Sequence, residues 1–536
     1  MKVLLLYPNL PGVKTLPTAY GLFNAILKRE GHQVDLFNTT NYADLFGVMN
    51  IYKEKSENLN ARPYDPRYNV KDLLYSDVCE DFKTKVRGCS PDLIAVSCTE
   101  DMYAIAVPLL ASLGKDRPPV VAGGTFPTFA PELAIRKSKG GIDWCLIGEG
   151  EDALPELCHR LETGKDITDI PGLCRYDADG TFQRNPLPLP ANLATLPLPD
   201  FSLFDDDIFY RPMQGKIWRM IPSTTIRGCP YTCAYCNAPS TMESYRASGL
   251  KYFRKQQIDL VHREIKHFVD TYHADSIYFW AETFLLWTPP EFDAFCEMYE
   301  EFKLPFWIQT RTETVTRERF EKLKRLGCLR IGFGVEHGNE RFRATMLRRS
   351  VKNDLIVERL NIIADVGIPI SVNNMIGFPT ETRELAFDTV ELNRKFRSDG
   401  INSYTFVPFS GTPLRKVCEE LGLIEPDAVV GSVMGRSVLN MPQLLPDEIE
   451  GVRRCLVLYV KMPRNRWKTI KEAEALTPEG DRLYEELKAE CLEKYMFYGD
   501  YDQELSKDER APTQSEPSGN TSNLQRVNLE TEEPMC

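Results

Sequence analysis

With 536 residues, 43% of them hydrophobic and 26% charged, the chain is ordinary globular sequence, too long for one compact core, and two to four domains are expected. Acidic residues outnumber basic ones by 77 to 65, giving a net charge of -12, and no basic stripe offers a footprint for nucleic acid. No apolar run reaches the roughly 18 residues of a membrane span, and the apolar start is cut at Pro8 and Asn9, so neither signal peptide nor anchor is expected and the predicted location is cytoplasmic.

The first 160 residues alternate short apolar runs with helix-like stretches. Runs at 3–7, 34–37, 93–97, 120–122 and 144–147 read as buried parallel strands with helices on both faces, a Rossmann-like α/β module. Ligands of such sheets sit at the carboxyl ends of the strands, here Pro8-Asn9, residues 97–99, Gly123-Gly124-Thr125 and Gly148-Glu149-Gly150-Glu151. Glycine there lets a ligand approach the backbone, although turns use glycine as well. Pro186, Pro188, Pro190, Pro197 and Pro199 mark residues 161–205 as a linker. From 206 to 425, strand-like runs at 223–226, 276–280, 306–310, 330–333, 368–372 and 403–407 alternate with charged amphipathic helices such as 257–272. Six such units predict a partial (β/α)6 barrel whose reacting groups follow each strand. Residues 426–503 read as a helical C-terminal region, and 504–536, polar and almost free of aromatics, as a disordered tail.

Fifteen cysteines in a chain with no secretory signal argue for reduced thiols, most of them small buried side chains. Three stand apart. Directly after the first barrel run comes Arg227-Gly228-Cys229-Pro230-Tyr231-Thr232-Cys233-Ala234-Tyr235-Cys236-Asn237. Three thiolates so close can hold three corners of a [4Fe-4S] cube and leave the fourth iron open to a chelating small molecule. A structural zinc wants a fourth Cys or His, and neither His262 nor His267 has the spacing. Three uninvolved buried thiols are the remaining alternative.

This C-x3-C-x2-C loop resembles that of the radical S-adenosylmethionine (SAM) superfamily, and the resemblance runs through the whole barrel. It implies that Cys229, Cys233 and Cys236 hold a [4Fe-4S] cluster, that SAM chelates the fourth iron, and that Tyr235 lies near the adenine. Glu282, in Ala281-Glu282-Thr283-Phe284, stands where the family takes the SAM ammonium, with Ala281 replacing a commonly acidic residue. Gly334-Val335-Glu336-His337-Gly338 is similar to the fourth-strand motif, which implies Glu336 on the ribose; His337 stands where serine is more usual. Met375-Ile376-Gly377-Phe378-Pro379-Thr380-Glu381 is similar to the fifth-strand segment whose backbone, here at Gly377, meets adenine.

A Rossmann-like domain ahead of such a barrel, joined through Leu196-Pro197-Leu198-Pro199-Asp200-Phe201, resembles the cobalamin-dependent branch of that superfamily. The resemblance implies that Gly123, Gly124, Gly148, Glu149 and Gly150 surround cobalamin. None of the six histidines stands in a D-x-H-x-x-G context, so a histidine-off cobalamin is expected, with the loop 9–20 the natural place for a group facing cobalt. A domain that kept the fold and lost the cofactor is the alternative. The implied activity is C-methylation of an unactivated carbon through a 5'-deoxyadenosyl radical and methylcobalamin. Radical cyclisation, ring contraction or oxidation is the runner-up, and a non-catalytic cobalamin or redox sensor a third reading. The implied partners are a small-molecule or lipid-like substrate and an external electron donor of the flavodoxin or ferredoxin type.

Overall fold

The computed structural model describes residues 1–11, 13–48, 59 and 73–496. The N-terminal apolar runs become β1 (Lys2–Tyr7), β2 (Gln33–Asn38), β3 (Leu93–Ser97), β4 (Val120–Gly123) and β5 (Trp144–Leu146). They pair in parallel in the order β2-β1-β3-β4-β5. Leu4, Ile94 and Val120 are wholly buried, as central strands covered by helices on both faces must be. Strand order reverses between β1 and β3, and a crevice opens there at the carboxyl ends. Local signals set the helices. Helix Val78–Cys89 begins at Asp77, whose carboxylate accepts from the N–H groups of Cys79 and Glu80.

The stretch expected as a linker is partly folded into this sheet. β6 (Leu173–Tyr176) and β7 (Phe182–Arg184) form an antiparallel hairpin that extends the sheet from β5, within the stretch 161–205. The proline density begins only at Pro186, and the hairpin upstream of it carries its own turn glycine, Gly180, at φ +83°. Leu173 and Cys174 anchor it in the core.

The second sheet contains β8 (Tyr210–Met213), β9 (Lys216–Thr224), β12 (Ser276–Trp280), β13 (Phe306–Thr310), β14 (Cys328–Glu336), β15 (Ile370–Ile376) and β16 (Gly400–Thr405). Six of these run parallel in a partial barrel, and β8 closes one edge antiparallel to β9. β9 starts at Lys216 rather than 223, because its first half, carrying Trp218 and Arg219, is only half-buried and lacks the apolar signal of a central strand. Between β9 and β12, a short ribbon of β10 (Ile226–Arg227) and β11 (Arg254–Lys255) brackets the cysteine loop.

The C-terminal helices Pro446–Lys461, Trp467–Ala473 and Pro478–Lys494 close the open side of the barrel. The first of them packs on β16 and on helix Arg383–Asn393, burying Leu456, Leu458, Val460 and Met462. Glu474 clamps this layer: it pairs with Arg383 at 2.6 Å and accepts from the Tyr459 hydroxyl at 2.6 Å. All cysteines among the described residues are free, and no helix among them is long and apolar enough to cross a membrane. The expected tail, 504–536, lies outside the described residues.

Candidate active site

The carboxyl ends of the two sheets face one cavity of about 750 Å3. One wall carries Ser97, Gly123, Gly124 and residues 148–151; Leu196, Pro197 and Pro199 form a side; the barrel contributes Thr224, Arg227, Tyr278, Trp280, Glu282 and Gln309. All five residues expected around cobalamin therefore line it. Glycine is required at two of them. Gly124 has φ +95° and a Cβ there would stand 2.7 Å from the Cys98 carbonyl oxygen; Gly148 has φ +78° and its Cβ would meet the Tyr245 hydroxyl at 2.6 Å. None of the histidines lines the cavity. From the loop 9–20 it receives Thr18, Ala19 and Tyr20, the last held by hydrogen bonds from its hydroxyl to the carbonyls of Leu6 (2.5 Å) and Ser97 (2.9 Å).

Glu149 does not offer a free carboxylate to a cofactor. It accepts from Arg227 Nη1 at 2.9 Å and from Arg254 Nη2 at 2.5 Å, while Arg227 also reaches Glu151 at 2.5 Å. Arg254 donates onward to the Ala191 carbonyl at 2.6 Å, and the Glu149 N–H donates to the Tyr245 hydroxyl at 3.1 Å. Burial acts to raise the Glu149 pKa, but the hydrogen bond from Arg254 and the charge of Arg227 overcome it and hold the carboxyl below its ordinary value. Because Arg227 directly precedes Gly228-Cys229, this network ties the loop after β5 to the cysteine loop.

Cys229, Cys233 and Cys236 are each 8% exposed. Donors are aimed at two of the sulfurs: Arg311 Nη1 lies 3.1 Å from Cys233 Sγ and the Ala238 N–H 3.4 Å from Cys236 Sγ, while the Thr283 hydroxyl, 3.9 Å from Cys229 Sγ, donates to the Glu282 carbonyl at 2.7 Å. Such donors stabilise thiolates and tune iron-sulfur ligands. Burial pushes the Cys229 thiol above its ordinary value. The donor set is three buried thiols on one loop, and a cube takes one thiolate per iron. The loop fits a cluster.

Across the loop, Glu282 Oε1 accepts from the Gly228 N–H at 3.3 Å and borders the cavity, and desolvation raises its pKa. Deeper, Arg349 Nη1 donates to Glu336 Oε1 at 2.9 Å and to the Tyr235 hydroxyl at 3.1 Å, and Nη2 to the Gly334 carbonyl at 2.8 Å. Glu336 sits at φ +68°, a left-handed conformation that costs a non-glycine residue about 1–3 kcal/mol and that the Arg349 contacts hold in place. His337 Nδ1 accepts from the Asn339 N–H at 3.0 Å, so Nε2 carries the proton and donates to Glu381 Oε1 at 3.0 Å. The other Glu381 oxygen accepts from the N–H groups of Gly377 (2.6 Å) and Phe378 (3.0 Å). His337, placed where serine is more usual, is thus a strut from β14 to the loop after β15. Phe378 stands 6.4 Å, centroid to centroid, from Tyr235, which brings Tyr235, Glu336 and Gly377 into one neighbourhood.

Several site residues escape sequence reasoning. Arg254, Arg311 and Arg349 carry no motif and reach their partners only through the fold. Glu264 did carry a signal: it lies among Leu260, Val261, Ile265 and Phe268 on the buried stripe of helix Ile258–Tyr272, and it borders the cavity. Burial pushes its carboxyl up to about 7, with Ser223 and Gln256 opposing the shift.

Residues 223–392 match the radical SAM superfamily, and residues 64–158 the B12 binding domain. An uncharacterized methyltransferase of Pyrococcus horikoshii is 26% identical over 348 residues, 64% of this chain and 72% of the relative. The anaerobic magnesium-protoporphyrin IX monomethyl ester cyclase of Rubrivivax gelatinosus is 22% identical over 364 residues, 66% of this chain and 62% of the relative. Among solved structures, the radical S-adenosylmethionine methyltransferase TsrM of Kitasatospora setae, with cobalamin and a [4Fe-4S] cluster bound, aligns with a TM-score of 0.61 at 14% identity, covering 91% of this chain and 98% of that one. At that identity the likeness is one of fold.

Proposed function

We propose that this chain, a member of the cobalamin-dependent radical SAM superfamily, is an enzyme that methylates an unactivated carbon of a small molecule held between its two sheets. One observation carries the reading: a single cavity is walled on one side by the glycine-lined strand ends of a B12-binding fold and on the other by the carboxyl end of a cysteine-bearing barrel. When bound, the cluster supplies the electron that cleaves SAM and cobalamin supplies the methyl group.

The chain's own residues position these groups. Cys229, Cys233 and Cys236 would hold the cluster, with Arg311 and the Ala238 N–H neutralising sulfur charge. Glu282 would take the SAM ammonium and Glu336 the ribose, with Arg349 and Tyr235 holding Glu336 in register and the His337-Glu381 strut fixing the Gly377 loop. Gly123, Gly124, Gly148 and Gly150 give the corrin access to backbone, while Glu149 fixes their loop through Arg227 and Arg254. Trp280, Tyr278 and Gln309 line the barrel side of the cavity, where apolar rings exclude water from the substrate carbon. The electron source would be an external carrier of flavodoxin or ferredoxin type.

A second reading, radical cyclisation, rests on the cyclase relative. Turnover with methyl-labelled SAM separates them. Methylation gives S-adenosylhomocysteine and 5'-deoxyadenosine in equal amounts with label in the product. Cyclisation or oxidation gives 5'-deoxyadenosine alone, and a sensor gives neither. Cys229→Ala, Cys233→Ala and Cys236→Ala should each lose the iron, whereas Cys158→Ala should keep it.

A further inference from the structure

A second cleft, of about 460 Å3, shares no residue with the cavity. Its floor is Pro230-Tyr231-Thr232, the segment between two of the three cysteines, with Pro230 and Thr232 exposed. Arg311 joins floor to sulfur: its guanidinium lies 3.7 Å from the Tyr231 ring centroid and its Nη1 3.1 Å from Cys233 Sγ. On the rim, Arg348 is exposed at φ +53° and engages no carboxylate among the described residues, and the Lys352 side chain is 78% exposed, 3.3 Å from Glu340. The sole acid in the lining, Glu313, is paired with Arg311. Of the basic side chains in the lining, Arg311 and Arg349 are buried and paired with Glu313 and Glu336, so Arg348 and Lys352 are the exposed positive charges of the rim, in a chain whose net charge is -12.

We propose that this cleft is the docking site of a small acidic one-electron carrier protein, a proposal that rests on reading Cys229, Cys233 and Cys236 as cluster ligands. Electron tunnelling falls steeply with distance, and the exposed tip between two ligand cysteines is thin cover over the sulfurs. Exposed Arg348 and Lys352 on an otherwise acidic protein steer a carboxylate-rich surface to that tip. One electron leaves the carrier, which is oxidised by one unit, and enters the cluster, which is reduced by one unit; no bond or proton moves.

The test uses full-length holoenzyme and a purified flavodoxin. Calorimetric titration at low salt gives the affinity, and stopped-flow mixing with the flavodoxin hydroquinone gives the rate of cluster reduction. In Arg348→Glu/Lys352→Glu both should fall about tenfold or more, and the wild-type values should fall toward them as salt rises. Reduction by dithionite and the iron content should not change. A control reversal on the C-terminal helices, Lys468→Glu/Arg482→Glu, should behave as wild type. Unchanged flavodoxin affinity and rate in the rim variant, or an equal loss in the control, overturns the docking site alone. Wild-type protein that holds no iron overturns the cluster reading and the docking site with it.

Discussion

Arg227→Met keeps the length of the side chain and removes its charge from the network that joins the two sheets. The Arg227 side chain is 19% exposed and the Glu149 and Glu151 side chains 8% each. After substitution Glu149 keeps Arg254, but Glu151 loses its cation. Deleting one partner of a buried pair costs about 3–5 kcal/mol, because the other charge is left uncompensated. For a unit of 150–250 residues, a loss of ~3 kcal/mol corresponds to a fall in Tm of about 6–12 °C. The loss depends on pH in a defined sense. Glu149 is held below its ordinary value in the folded state, so its contribution is present above the unfolded pKa and is lost as pH falls through the folded one. Calorimetry at about pH 7 and at about pH 3.5, above and below the ordinary glutamate pKa, should therefore show a large deficit at the higher pH and a smaller one at the lower. Arg227→Met/Glu151→Leu leaves no orphan charge and should recover most of the deficit. A single variant that melts within about 2 °C of wild type at both pH values, or a double variant as unstable as the summed singles, would refute the account.

Glu264 predicts the opposite pH trend: its folded pKa is raised to about 7, so the folded state binds its proton more tightly and stability is lost as pH rises from the ordinary glutamate range to 7. The penalty approaches about 3 kcal/mol at pH 8, so Glu264→Gln should melt higher than wild type at pH 8 and not at pH 4.5; a pH-independent difference would contradict it. Gly124→Ala places a Cβ 2.7 Å from Cys98 O at a φ that L side chains rarely adopt, and should lower Tm by the equivalent of at least about 1–3 kcal/mol; an unchanged melt would show that the loop shifts freely. Glu282→Gln should keep the iron and weaken SAM binding by about 10- to 100-fold in equilibrium titration, the effect of losing a charge-assisted hydrogen bond; unchanged affinity would move the ammonium site elsewhere.

Apolar runs bounded by glycine made β1, β3, β4 and β5 readable, because strands buried on both faces leave no other pattern. The cysteine loop was readable because its three thiols lie within eight consecutive residues. What stayed hidden depends on contacts between distant segments. The β6-β7 hairpin is short, half-exposed and adjoins a proline-rich stretch, so its pattern merges with the linker. The resemblance of Gly148-Glu149-Gly150-Glu151 to a cobalamin loop implies a place for Glu149 near that cofactor and says nothing of its ion pairs. Its partners, Arg227 and Arg254, stand 78 and 105 residues away and only the fold delivers them. Likewise nothing near Glu336 announces Arg349 as the group that holds it.

The cavity walls are drawn from positions as far apart as Leu5 and Gln309. A chain emerging from the ribosome completes its first sheet at Arg184, long before β13 exists, and domains generally fold as they appear. For that interval the strand ends carrying Gly123, Gly124 and Gly148 form an open platform with no barrel opposite. A bulky molecule resting on the platform can arrive before the second wall is made. Anything that must touch Trp280 or Gln309 has to enter afterwards, through whatever gap the finished interface leaves. The glycine-lined wall is thus translated before the barrel wall that faces it.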